Sequence, residues 1–157
     1  MQTLSKRTQY ALRALYALAR KGSNEPVLIG ELSKEEEIPK KFLEQILLNL
    51  KQKGLVDSKR GRYGGYLLAV APENLTVGAI IRMLDGPIAP LPCASESQFR
   101  KCDECPDIRF CGTRMVMRQV RDATVQILDR TTLADVCSNV DAARLEAESG
   151  EEYMYHI

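Results

Sequence analysis

The sequence predicts a mostly α-helical chain with one small β-hairpin and a long helix in its C-terminal half. Three observations carry this. Apolar residues recur at helical spacing through the first 53 residues, the period shortens to that of strands around a glycine-rich turn, and helical spacing returns after a cysteine-rich loop. At 157 residues and 45% hydrophobic content, the chain can build one ordinary core plus an oligomerisation arm.

Ser5 is a natural N-cap for a first helix, in which Tyr10, Ala11, Ala14, Leu15, Leu18 and Ala19 share one face. Arg20, Lys21 and Gly22 close it, as cations and glycine do at a helix C-terminus. A loop with Asn24 and Pro26 leads to a short helix over 28–36. Ile38-Pro39 then breaks the chain, and residues 40–53 form the next helix with Phe42, Leu43, Ile46, Leu47 and Leu50 as its apolar positions, capped by Gly54. This is a helix-turn-helix. Residues 55–60 and 66–70 read as strands around Gly61-Arg62-Tyr63-Gly64-Gly65. A hairpin in that place is a wing. Pro72-Glu73-Asn74 turns the chain, and Thr76 caps a helix over 77–84. Residues 1–85 are thus expected to form a winged helix-turn-helix.

Cysteines dominate the next segment. Four of the five, Cys93, Cys102, Cys105 and Cys111, fall within nineteen residues as C-x8-C-x2-C-x5-C. Residues 86–107 also hold four prolines, so they read as an irregular loop that needs something to organise it. Thiolates are soft ligands suited to zinc or iron–sulfur clusters, and spacing alone leaves these two about even. One or two disulfides, or free buried thiols, are the alternatives. Cys137 reads as a small buried hydrophobe.

From 108 to 130 the sequence predicts one long helix, with Thr113, Val116, Val120, Ala123 and Ile127 in a heptad seam suited to dimerisation. A last helix follows through Leu133, Val136 and Val140, so residues 108–147 form the dimerisation helix and C-terminal helix. An acidic, flexible tail is expected over 148–157.

Charge points to a partner. Residues 1–65 carry 13 Lys/Arg against 7 Asp/Glu, whereas the remainder carries 9 against 14. A basic first half favours double-stranded DNA. Lys40, Lys41, Glu44 and Gln45 stand at the N-terminal end of the second helix of the motif, where base edges are read. Lys59, Arg60 and Arg62 make a slim cationic wing tip suited to a minor groove. A domain of this size reads few base pairs, so a homodimer on a palindromic operator is expected. Enzymatic chemistry finds no support: there is no phosphate loop and no Ser/His/Asp set, the one histidine is His156, and Glu35-Glu36-Glu37 reads as a solvated helix end. No apolar run could span a bilayer, and the expected location is the cytoplasm.

Several stretches carry a family resemblance. Leu4-Ser5-Lys6-Arg7-Thr8-Gln9-Tyr10-Ala11-Leu12, Ile38-Pro39-Lys40-Lys41-Phe42-Leu43-Glu44-Gln45-Ile46-Leu47 and Gly54-Leu55-Val56 resemble the IscR/NsrR/RirA/CymR superfamily of bacterial transcription regulators. So do Arg60-Gly61-Arg62-Tyr63-Gly64-Gly65-Tyr66-Leu67-Leu68 and Thr131-Thr132-Leu133-Ala134-Asp135-Val136. The resemblance implies a winged-helix homodimer joined through the long helix. It also implies a [2Fe–2S] or [4Fe–4S] cluster whose state sets DNA affinity in response to iron, redox state or nitric oxide. Lys41, Glu44 and Gln45 match recognition-helix positions, and Arg60 matches the wing position that enters the minor groove. The family's usual three cysteines are four here: Cys93 and Cys111 match the outer pair, and Cys102 or Cys105 the middle one. No histidine lies just beyond Cys111, and Gln9 stands near where some members place an acidic ligand. The expectation is therefore a repressor-like regulator with a cluster on Cys93, Cys102, Cys105 and Cys111. The alternatives are a zinc-stabilised regulator and a metal-free thiol/disulfide switch working with a protein partner.

Overall fold

The computed structural model describes residues 4–22 and 24–154. Helix α1 (Lys6–Lys21) is capped as its sequence predicts: the Ser5 hydroxyl accepts from the Thr8 N–H at 3.1 Å. Asp85 reinforces that cap from eighty residues away, accepting from the Ser5 Oγ at 2.6 Å and the Ser5 N–H at 2.9 Å. Helices α2 (Ile29–Glu35) and α3 (Lys40–Gln52) form the helix-turn-helix. Glu37 takes a positive φ of 51° between them, and Pro39 opens α3.

Strands β1 (Val56–Lys59) and β2 (Gly65–Leu68) pair antiparallel, with Val56 opposite Leu68 and Lys59 opposite Gly65. A third stretch of extended chain joins this hairpin. Val27 and Tyr66 exchange backbone hydrogen bonds of 2.8 Å in both directions. Gly65 is required there, because its φ is +144° and a Cβ would collide with the Val27 carbonyl. Sequence patterning misses this pairing, since a single bridged residue in a loop leaves no period-2 signal.

Helix α4 (Val77–Asp85), capped by Thr76, lies against α5 (Gly112–Arg130), and α6 (Leu133–Met154) returns to pack on α1. Gly78 lets α4 and α5 approach: a Cβ there would collide with the Asp129 carboxylate, which Arg82 grips at 2.7 and 2.8 Å. The Val77 N–H donates to the Thr131 carbonyl and the Leu133 N–H to the Leu75 carbonyl, each at 2.9 Å. Leu133 is thereby sealed into one core with Leu15 and Leu18 of α1, Leu43, Leu47 and Leu50 of α3, and Ile80 of α4. Each such side chain contributes ~1.5–3 kcal/mol by leaving water. The start of α6 and the winged domain therefore share one hydrophobic cluster.

Four expectations need amendment. The long helix starts at Gly112, not 108, because Ile108–Phe110 is a separate 3-10 turn. Helix α6 continues through Met154 across much of the stretch expected as a flexible tail; Tyr155, His156 and Ile157 lie outside the described residues. Glu36 is not simply solvated: it ion-pairs with Arg20 at 3.2 Å and Arg13 at 3.6 Å, while Glu35 pairs with Lys21 at 3.3 Å. Cys137 is half-buried rather than buried, with its thiol 3.8 Å from the Tyr16 carbonyl.

Candidate nucleic-acid interface and cysteine loop

Helix α3 is amphipathic in a way that sorts its residues by role. Leu43, Ile46, Leu47 and Leu50 face the core, which turns Lys40, Lys41, Glu44 and Gln45 outward. All four are exposed, as are Lys59, Arg60 and Arg62 on the wing. Among the described residues, none of these five cations has a carboxylate partner. An unneutralised cationic surface on a helix and an adjoining hairpin is the electrostatic footprint expected for phosphate. The wing tip is narrow because Gly64 folds tightly back, its N–H donating to the Gly61 carbonyl at 3.0 Å; a Cβ on Gly64 would strike the Lys59 carbonyl. Beside it Tyr63 is 85% exposed, with the Arg62 guanidinium 5.8 Å from its ring.

The start of α1 adjoins the start of α3. The Tyr10 and Phe42 rings meet edge-on at 5.6 Å, and the Lys6 ammonium lies 5.8 Å from the Tyr10 ring. Lys6 and Arg7 are exposed and extend the basic surface beyond the residues that sequence singled out. Their signal, two cations just inside a helix start, was visible but had no partner until the helices were packed.

The cysteine loop is built differently. All five cysteines are free thiols. Cys93 sits in the 3-10 turn Pro92–Ala94 and is buried; Cys102 is exposed; Cys105 and Cys111 are half-buried, with Cys111 as the N-cap of α5. The Cys105 N–H donates to the Cys102 carbonyl at 3.2 Å, so the CxxC forms a compact turn. Burial pushes the Cys93 thiol above its ordinary range, the neighbouring Cys102 thiol adds to this, and Cys111 contributes at longer range. Cys93, Cys102 and Cys111 thus share a neighbourhood, with soft donors of the kind a thiophilic metal takes. Among the described residues no three His, Cys, Asp or Glu side chains are gathered closely enough to hold a metal ion. Residues 96–104 are exposed, Cys102 among them.

Two arginines fasten this loop to α5. The Arg114 Nε donates to the Cys93 carbonyl at 2.9 Å, and the Arg121 Nη1 to the Ala94 carbonyl at 2.6 Å. Neither was legible in sequence as a tether, because an arginine that packs inward looks there like any cation on a helix. The opposite face of α5 is open, with Val116 53% and Ile127 66% exposed in the single chain.

Fold and surface together define a winged-helix DNA-binding protein with a thiol-rich loop on its arm. The Rrf2 family model, described as an iron-dependent transcriptional regulator, matches residues 4–139, and the chain belongs to that family. It is 41% identical over 136 residues to the rrf2-like HTH-type transcriptional regulator of Rhodobacter capsulatus, covering 85% of this chain and 91% of that one. It is similar to the structure of CymR, the global cysteine regulator of B. subtilis, with TM-score 0.73, 34% identity and coverage of 88% of this chain and 98% of that one. The structure of T. potens IscR matches with TM-score 0.70 and 29% identity, covering 90% of each chain. The chain is accordingly a transcriptional regulator and not an enzyme. Among the described residues no helix is long and apolar enough to cross a membrane.

Proposed function

We propose that this regulator acts in the cytoplasm as a homodimer that binds a palindromic operator with an affinity set by an iron–sulfur cluster on Cys93, Cys102, Cys105 and Cys111. The observation that supports the reading is that Cys93, whose carbonyl accepts from Arg114, and Cys111, the N-cap of α5, both stand at the start of that helix, within the segment that also holds Cys102 and Cys105. The group would supply a centre responsive to iron and redox state. The chain's own residues do the rest. Lys40 and Lys41 reach phosphate or guanine, Gln45 and Glu44 read base edges, and Arg60, with Lys59 and Arg62, enters the minor groove. Val116, Ala123 and Ile127 supply the apolar seam for a second copy.

Protein purified without oxygen should contain iron and sulfide and absorb visible light. It should also change its operator affinity when the cluster is removed; a colourless protein with unaltered affinity overturns the reading. Arg60→Ala should weaken binding to most sequences and lower the slope of log K against log salt by about one. Ile127→Asp should shift the chain to a monomer in sedimentation without unfolding it.

A second reading is favoured by the hydrogen-bonding closeness of the free Cys93 and Cys102 thiols: a metal-free thiol/disulfide switch working with a protein partner. Counting thiols in reduced and oxidised protein separates the two, since only the switch loses two thiols per bond without iron. One zinc per chain would instead mark a structural site on the same fold.

A further inference from the structure

Arg114 and Arg121 lie one heptad apart on the face of α5 turned toward the protein, and the two carbonyls they hold belong to one tight turn, Pro92–Ala94. That turn and Ser95 form the buried part of the loop: Cys93 is 4% exposed and Ala94 1%. The Arg121 side chain is itself only 7% exposed, and its Nη2 is met by Glu96 at 3.0 Å and by Asp122. A guanidinium is costly to bury unless its donors are satisfied, and here a backbone carbonyl takes one of them. Arg114 adds a second attachment, its guanidinium lying 5.9 Å from the Phe99 ring in the same loop. The peptide that carries the innermost thiol is thus tied to α5 by two charge-assisted hydrogen bonds.

We infer that Arg114 and Arg121 are positioning residues that transmit a rearrangement of the cysteine loop to α5. Any chemistry that moves the Cys93 turn must either carry the two guanidiniums, and the N-terminal half of α5 with them, or break both bonds. From α5 the displacement reaches the winged domain through the Arg82–Asp129 ion pair and the tight approach at Gly78. The inference deepens the proposed control of DNA binding by loop thiols, but it needs no cluster to be tested.

The test uses the full reduced chain. N-ethylmaleimide is added stoichiometrically to label the exposed Cys102 thiol, peptide mass spectrometry locates the label, and hydrogen exchange is followed before and after. In the natural sequence, labelling should change exchange across residues 112–121 by about threefold or more. In Arg114→Met/Arg121→Met the change should stay within residues 92–107, while exchange in α3 remains as in the natural sequence. Equal spread into α5 in the double variant, or no spread in the natural sequence, overturns the inference. If the double variant does not fold, Arg121→Lys keeps the charge without the planar fork and should show reduced spread; undiminished spread there overturns it. Iron-free preparations would defeat the cluster reading and leave this result standing.

Discussion

Residues 4–85 and residues 86–130 are held together by different physics. The first region is closed by apolar burial: Leu15, Leu43, Leu47, Leu50, Val56 and Ile80 are all fully buried. The second is closed mostly by polar ties. Its loop contributes Cys93 and Ala94 to the interior but hangs on arginine-to-carbonyl bonds, and the seam between α4, residues 86–90 and α5 leaves a cavity of about 320 Å³ lined in part by Ile81, Ile88, Val120 and Leu128. Apolar packing is non-directional and sums over many contacts, so the surface formed by α3 and the wing keeps its shape. A segment held by a few directional bonds can be released by changing one of them.

The contrast meets its severest test in the core. Leu43→Ala should lower stability by ~2–5 kcal/mol, read from the denaturation midpoint, because a fully buried position cannot refill its cavity. A loss under half of that would mean the first region is looser than its burial indicates. Next in size, Gln45→Ala should leave stability alone and reduce discrimination at one base pair by ~1–3 kcal/mol, measured by titrating operator variants. Unchanged sequence preference would remove Gln45 from the reading surface.

Asp129→Asn should cost no more than ~1 kcal/mol, since both partners of the Arg82 pair are partly exposed. Its signature is the pH dependence. The Arg82 hydrogen bond holds the Asp129 carboxyl below its ordinary range, so the pair's contribution is present above the unfolded carboxylate pKa of about 4 and is lost as pH falls through the lower folded value. Melting curves from neutral pH downward should converge for the two proteins in acid; parallel curves would refute the assignment. Smallest of all, Cys102→Ser should alter stability of the reduced, metal-free chain by less than ~0.5 kcal/mol, because Cys102 is exposed. A large loss would show that the loop is bound into the core after all.

Much of the fold was legible because its signals are local. The Ser5 and Thr76 caps, the proline before α3, the glycines of the wing and the spacing of leucines each act within a few residues, and each element formed where those signals lie. The outward residues of α3 were legible for the same reason: once Leu43, Ile46 and Leu47 must face inward, Lys41, Glu44 and Gln45 must face out.

The order of the elements, the family, the outward cations and the soft chemistry of the clustered thiols are all written along the chain. Packing in three dimensions alone settled that Val27 extends the wing, that Asp85 braces the first cap, that Leu133 belongs to the winged-domain core and that Arg121 is buried against Ala94. It also settled that Cys93 lies inside while Cys102 stays in solvent. The reason is range. Periodicity and capping are interactions between near neighbours along the chain, whereas the partner of a buried guanidinium or a free backbone amide is chosen by whichever distant segment packing brings within hydrogen-bond reach.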